Sequence, residues 1–146
     1  MQNKSLSITE LQTAAFDWDN TLAYSREALV FAINKILPQY NLPQWDEVKQ
    51  KRNRRLSFRD NFPLIFGDNA EEAYEKYRLI YKENVERLIS APPKAKEVLE
   101  FLKNNDIKIV IVSNKDRQLF DFEQHFLYSA DLFDKVVCGH EAVQDK

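Results

Sequence analysis

Three observations predict an α/β fold built on a parallel sheet, with a helical segment inserted after its first strand. A short apolar run at 13–18 ends in acids and turn residues. A β-branched run at 107–112 is flanked on both sides by amphipathic helical patterns. Between the two runs lies a block, 25–90, of helical pattern that is too long for an ordinary loop.

The elements follow in order. Thr13 to Trp18 (TAAFDW) reads as a buried strand, because Asp-Asn-Thr after it is turn chemistry. Arg26 to Leu37 reads as a helix stopped by Pro38. Asp46 to Arg55 is helical in propensity and strongly basic, and Phe58 to Phe66 is aromatic-rich. Gly67-Asp68-Asn69 is a helix stop and turn, with Asn69 placed to cap a long helix from Ala70 to about Ile89. In that helix Ala73, Tyr74, Tyr77, Ile80, Tyr81 and Leu88 fall at helical spacing and predict one buried face. Pro92-Pro93 opens an amphipathic helix through Ala95, Val98, Leu99 and Leu102. Ile107 to Val112 (IKIVIV) is the strongest strand, and its near-continuous apolar character suits a parallel sheet covered on both faces. Asp116 to Leu127 predicts a helix, and Lys135 to Cys138 a third strand. Two strand–helix–strand crossovers make the sheet parallel.

The chain has 146 residues, which suits one domain, or one small domain carrying an insertion. Its formal net charge of -2 argues against a general nucleic-acid binder, which needs a basic surface. Two glycines are too few for a glycine-rich dinucleotide or P-loop site. One cysteine, Cys138, allows no intrachain disulfide, and at a strand end it reads as a small buried hydrophobe. Met1 to Thr13 lacks a signal-peptide pattern, and no run approaches the roughly 20 apolar residues of a membrane span. The expectation is a cytoplasmic protein with no membrane or nucleic-acid partner.

The string that carries chemistry is Asp17-Trp18-Asp19-Asn20-Thr21-Leu22. Two carboxylates two residues apart at a strand's carboxyl end can face one crevice, the place where open α/β sheets bind ligands. Paired carboxylates attract Mg²⁺ and can divide nucleophilic and proton-transfer work. His125 and His140 read as surface or helix-face residues.

The string resembles motif I, Asp-x-Asp-x-Thr, of the haloacid dehalogenase-like hydrolases. Ser113-Asn114 at the end of the second strong strand resembles motif II, and Lys146 follows a stretch similar to the approach to the motif III lysine. The resemblance implies an incomplete Rossmann-like core, 1–24 and 91–146, with an α-helical cap inserted at 25–90. It implies that Asp17 attacks phosphorus and binds Mg²⁺. Asp19 would serve as general acid and base, with its backbone carbonyl on the metal. Thr21, Ser113 and Asn114 would hold phosphate, and Lys146 would neutralise charge. Because the family's dehalogenases lack the second acid, Asp19 favours a phosphatase or phosphomutase.

The segment Leu56 to Tyr81 looks like the cap of the phosphoglycolate phosphatase-like subgroup, although Arg54-Arg55-Leu56 stands where relatives often carry a glycine. Within the basic run, Arg55 and Arg59 are the candidates for holding an anionic substrate. The expectation is an Mg²⁺-dependent phosphomonoester hydrolase acting through an aspartyl-phosphate on a small phosphorylated substrate. The alternatives are a catalytically incomplete fragment or pseudo-enzyme that keeps a phosphate pocket, and a phosphosugar mutase or nucleotidase.

The family's fourth motif, an acidic pair, has no match before the last residue. On this reading the first strand becomes an exposed sheet edge. The favoured explanation is a piece of a longer protein; the alternative is an edge covered by another segment, or by a second copy of the chain in a homodimer.

Overall fold

Three parallel strands form one sheet in the order β1-β2-β3 in a computed structural model that describes residues 10–141. The strands are β1 (Thr13–Phe16), β2 (Lys108–Val112) and β3 (Lys135–Val137). β2 is central, with Ala15 opposite Val110 on one side and Lys135 opposite Val110 on the other. β1 therefore lies at an edge among the described residues, as the resemblance implies. Its residues alternate between exposed and half-buried, so the expectation of a fully buried strand is not met. Thr13 and Ala15 point to the uncovered face, and Ala14 and Phe16 on the covered face are only half-buried because β1 has one neighbouring strand among the described residues.

β2 buries Ile109 and Ile111 while Lys108 and Val112 are exposed. Among the described residues the expected apolar cover is thus met on one face. Successive strand side chains point to opposite faces, so the buried pair marks the covered side. That side is packed by α5 (Ala95–Asn104) and α6 (Arg117–Leu127). Trp18, fully buried, sits in this cluster with Leu99, Leu102 and Phe120. Its ring meets Phe120 edge-on at 4.5 Å and Tyr128 at 5.7 Å. Burying side chains of this size contributes roughly 1.5–3 kcal/mol each. Trp18 therefore anchors the segment that carries both aspartates.

A second apolar cluster is helical. α1 (Arg26–Ile36) buries Ala28, Ala32, Ile33 and Ile36 at helical spacing, and α4 (Ala70–Leu88) buries Ala73, Tyr77, Tyr81 and Val85. α2 (Trp45–Val48) and α3 (Phe62–Phe66) complete this layer. The chain enters and leaves it side by side: the Tyr24 amide donates to the Ser90 carbonyl at 2.8 Å in an isolated antiparallel bridge.

Two local expectations fail. The basic segment 46–55 is not one helix; α2 ends at Val48, a short 3-10 turn spans Lys49–Lys51, and Arg52 is extended. After Val48 the segment offers no apolar residue to bury until Leu56, so packing gives a helix nothing to build on. Asn69 makes no side-chain cap; a 3-10 turn at Gly67–Asn69 feeds directly into α4. Gly67 does end α3, in a left-handed φ of 56° that favours glycine.

Candidate active site

The carboxyl ends of β1 and β2 open into one cavity of about 430 Å³. Asp17 and Asp19 come to it from the loop after β1, and Ser113 and Asn114 from the loop after β2. The β1 loop is tight. The Trp18 carbonyl accepts from the amides of Thr21, Leu22 and Ala23, and Asn20 takes a left-handed φ of 61°. Asparagine tolerates that conformation better than most residues. Burial of Trp18 between the two aspartates then fixes Asp17 and Asp19 on either side of it. Thr21 is exposed in this turn and lies outside the cavity lining.

The β2 loop is held from β3. The Ser113 amide donates to the Val137 carbonyl at 2.9 Å, and the Gly139 amide to the Lys115 carbonyl at 3.0 Å. Gly139 approaches so closely that an added Cβ would lie 2.6 Å from the Asn114 carbonyl oxygen. Asp116, rather than Ser113 or Asn114, caps α6: its carboxylate accepts from the amides of Gln118 and Leu119.

Sequence reasoning missed the residue next to motif II. Lys115 has a side chain only 9% exposed, and its ammonium lies 2.6 Å from Asp19 Oδ1 and 2.7 Å from Glu123 Oε1. Glu123 is fully buried and also accepts from Trp18 Nε1 at 2.6 Å and from the Tyr81 hydroxyl. Asp19 Oδ1 takes a further hydrogen bond from the Ser25 hydroxyl. Burial pushes the Glu123 carboxyl upward, with Lys115 pulling against it. Burial works to lower Lys115, but the carboxylates of Asp19 and Glu123 outweigh it and hold the ammonium above the usual lysine range. Burial and the adjacent Glu123 raise the Tyr81 phenol, so it stays a proton donor.

The helical layer forms the cavity's other wall. Arg52, Arg54 and Arg59 line it with Tyr74 and Tyr77. Arg59 stacks 5.4 Å from the Tyr74 ring and lies 3.9 Å from Asp116. Arg55, the other arginine expected here, is exposed and outside the lining. The buried Asn61 shapes this loop, accepting from the Asn53 amide at 2.6 Å and donating to the Asn53 and Ser57 carbonyls. Lys146 lies outside the described residues. His140 is exposed and pairs with Asp60 at 3.3 Å; His125 is exposed on α6 beside Phe126. Cys138 is buried, and burial pushes its thiol up to about 12.

Among the described residues no cluster of three or more histidine, cysteine or acidic side chains could hold a metal. The oxygen donors present still suit a hard cation. Asp17 has no hydrogen-bond partner among the described side chains, and Mg²⁺ is commonly held by one or two carboxylates with water and substrate phosphate completing its shell. No helix of the described residues is long and apolar enough to cross a membrane.

A parallel α/β sheet thus carries an aspartate pair at its carboxyl end, faced by a helical layer. The chain belongs to the haloacid dehalogenase-like hydrolase family, whose model matches residues 14–146. It is 26% identical over 119 residues to a phosphoglycolate phosphatase of Haemophilus influenzae, covering 73% of this chain and 53% of that protein. It is 26% identical over 128 residues to the pyrophosphatase PpaX of Bacillus cereus, covering 88% of this chain and 59% of that one. The chain thus spans little more than half the length of these relatives. In fold it matches the crystal structure of a predicted phosphoglycolate phosphatase from Haemophilus somnus with a TM-score of 0.79, at 22% identity, over 93% of this chain and 66% of that one.

Proposed function

We propose that the chain carries the catalytic half-site of a phosphomonoester hydrolase that works through an aspartyl-phosphate on a small anionic substrate. The observation that carries this reading is the convergence of Asp17, Asp19, Ser113 and Asn114 on one cavity from the ends of two adjacent parallel strands. The named phosphatases among its relatives support it.

In this reading a carboxylate oxygen of Asp17 attacks phosphorus, forming the aspartyl–phosphorus bond as the bond to the leaving oxygen breaks. Asp19 gives a proton to the leaving oxygen, then accepts one from the water that attacks the aspartyl-phosphate, releasing phosphate and restoring Asp17. The Ser113 hydroxyl and Asn114 amide orient phosphate oxygens. Mg²⁺, held by Asp17 and the Asp19 backbone carbonyl, would supply charge neutralisation. Arg52, Arg54 and Arg59 favour a substrate with a further negative group beyond the reacting phosphate, since arginine pairs bidentately with carboxylate and phosphate.

Hydrolysis of p-nitrophenyl phosphate with and without Mg²⁺, for the wild-type chain and Asp17→Asn, tests the reading. Mg²⁺-dependent turnover that disappears in the variant supports it. Turnover that survives Asp17→Asn, or folded wild-type protein that binds phosphate without turnover, overturns it in favour of a phosphate-binding role.

A further inference from the structure

We propose that Glu123 is a positioning residue for Asp19, acting through Lys115, and that Tyr81 makes this positioning depend on how α4 packs over the sheet. The inference rests on Asp19 being the proton-transfer group of the proposed reaction.

Glu123 stands where the fold calls for an apolar residue. On α6 it follows Leu119 by four positions and Phe120 by three, on the buried face of the helix. A carboxylate there costs several kcal/mol in desolvation unless its partners are well placed, and a leucine would fill the position without that cost. The partners are well placed, and one of them, Lys115, lines the candidate active site. Oε1 takes the Lys115 ammonium at 2.7 Å and the Tyr81 hydroxyl; Oε2 takes the Trp18 indole at 2.6 Å. Trp18 lies between Asp17 and Asp19. One buried side chain thus holds the indole that anchors the aspartate loop and the cation that binds Asp19.

The cation would not stay without Glu123. A lone lysine is strongly hydrated and carries its charge on a flexible stem, so Lys115 bonded to Asp19 alone would have reason to swing toward solvent. With a carboxylate on each side its ammonium is fixed, and it fixes Asp19 Oδ1 in turn. Asp19 Oδ2 then has no protein hydrogen bond among the described residues and is left for the proton in transit.

The helical layer enters this network twice. Ser25, at the start of α1, donates to Asp19, and Tyr81 on α4 donates to Glu123. The Tyr81 hydroxyl hydrogen-bonds Glu123, and its ring lies 5.7 Å from the Lys115 ammonium, so among the described residues its hydrogen bond reaches Asp19 through Glu123 and Lys115. Separation of α4 from the sheet would remove that donor and loosen the chain of contacts ending at Asp19.

The test uses Tyr81→Phe and Glu123→Gln in the same chain, read in two ways. The first is the split between kcat and KM for p-nitrophenyl phosphate. Misplacing a reacting group by about 1 Å can cost on the order of 10²-fold in rate. Glu123→Gln is therefore expected to lower kcat by about that factor, and Tyr81→Phe by less, with KM within about twofold in both. The second is the ¹⁵N-detected side-chain ammonium signal of Lys115, which needs no activity. In the wild type it is expected to be protected from exchange and coupled to the carboxyl carbons of Asp19 and Glu123. Both variants should weaken the Asp19 coupling. An unchanged Asp19 coupling in Tyr81→Phe overturns the link to α4, and an unchanged coupling in Glu123→Gln overturns the positioning role. A protected, coupled Lys115 in a wild-type chain without turnover would sink the phosphatase reading and leave the geometric claim standing. If Glu123→Gln does not fold, the wild-type signal decides the positioning role: a Lys115 ammonium that exchanges freely or is not coupled to the Glu123 carboxyl carbon overturns it.

Discussion

The ammonium of Lys115 lies 2.6 Å from the carboxylate of Asp19, a residue 96 positions earlier in the chain. This contact joins the loops after β1 and β2, and its other half is the buried Glu123. Breaking such a pair from one side leaves an uncompensated charge. Lys115→Met is expected to cost about 3–5 kcal/mol of stability. Lys115→Met combined with Glu123→Leu removes both charges but strands the Trp18 indole and Tyr81 hydroxyl donors, so it should recover only part of that loss. Urea denaturation of the wild type, Lys115→Met, Glu123→Leu and the double variant checks this; two single losses that simply add would show that the charges do not interact.

Asn61 satisfies the backbone of the arginine loop while fully buried. Asn61→Ala leaves the Asn53 amide without its acceptor, a loss worth about 1–3 kcal/mol. Since Arg52, Arg54 and Arg59 are displayed near this anchor, KM for an anionic phosphate ester should rise more than kcat falls. Steady-state kinetics decides, and an unchanged KM would separate the loop from substrate binding.

Gly139 is needed for its lack of a side chain. Gly139→Ala forces a carbon to within 2.6 Å of backbone that carries Asn114. Overpacking of this kind costs about 1–3 kcal/mol. The variant should melt earlier and turn over more slowly, whereas wild-type melting and rate would mean that the motif II loop can move aside freely.

The Cys138 thiol, pushed up to about 12 by burial, should be almost entirely protonated at pH 8. Thiolate is the reactive form. Alkylation by iodoacetamide is therefore expected to be slow in the native protein and fast in urea, as mass spectrometry would report. Rapid native labelling would contradict the burial.

Glu141 is clamped by Arg117, whose Nε and Nη2 each lie 2.6 Å from a carboxylate oxygen, and this holds its carboxyl at about 2. A depressed carboxyl contributes stability above the unfolded value of about 4.3 and loses it as pH falls toward the folded one. The pair is about one-third exposed, so solvent screening keeps the effect below about 1 kcal/mol. The stability gap between wild type and Glu141→Gln should narrow steadily from pH 5 to pH 2. A gap independent of pH would remove the clamp from the account.

The parts of this protein visible in its sequence are those written locally. The Asp17-Trp18-Asp19 string, the Ser113-Asn114 strand end and the apolar period of α4 each occupy a few neighbouring residues, and the structure places them as their patterns suggest. What stayed hidden depends on direction and on long-range partners. The expectation of Arg55 fails because the basic run is not the helix its propensity suggests, and the extended loop that replaces it has no period from which to read side-chain direction. Lys115 carried no mark except its place after motif II. Glu123 did leave a trace, an acid interrupting the apolar stripe of Leu119, Phe120 and Leu127, and that interruption is the signal that would have exposed the network.

The bridge between Tyr24 and Ser90 has a consequence for inheritance. Its ends sit one strand spacing apart, about 5 Å, so everything between them amounts, for the sheet, to a single closed loop. The entropic cost of loop closure grows only slowly with length. Helices could be gained, lost or exchanged at this doorway over evolutionary time while the strand register stayed the same. Substrate preference and catalytic chemistry would then sit in two modules free to vary at different rates, joined where Ser25 and Tyr81 reach across.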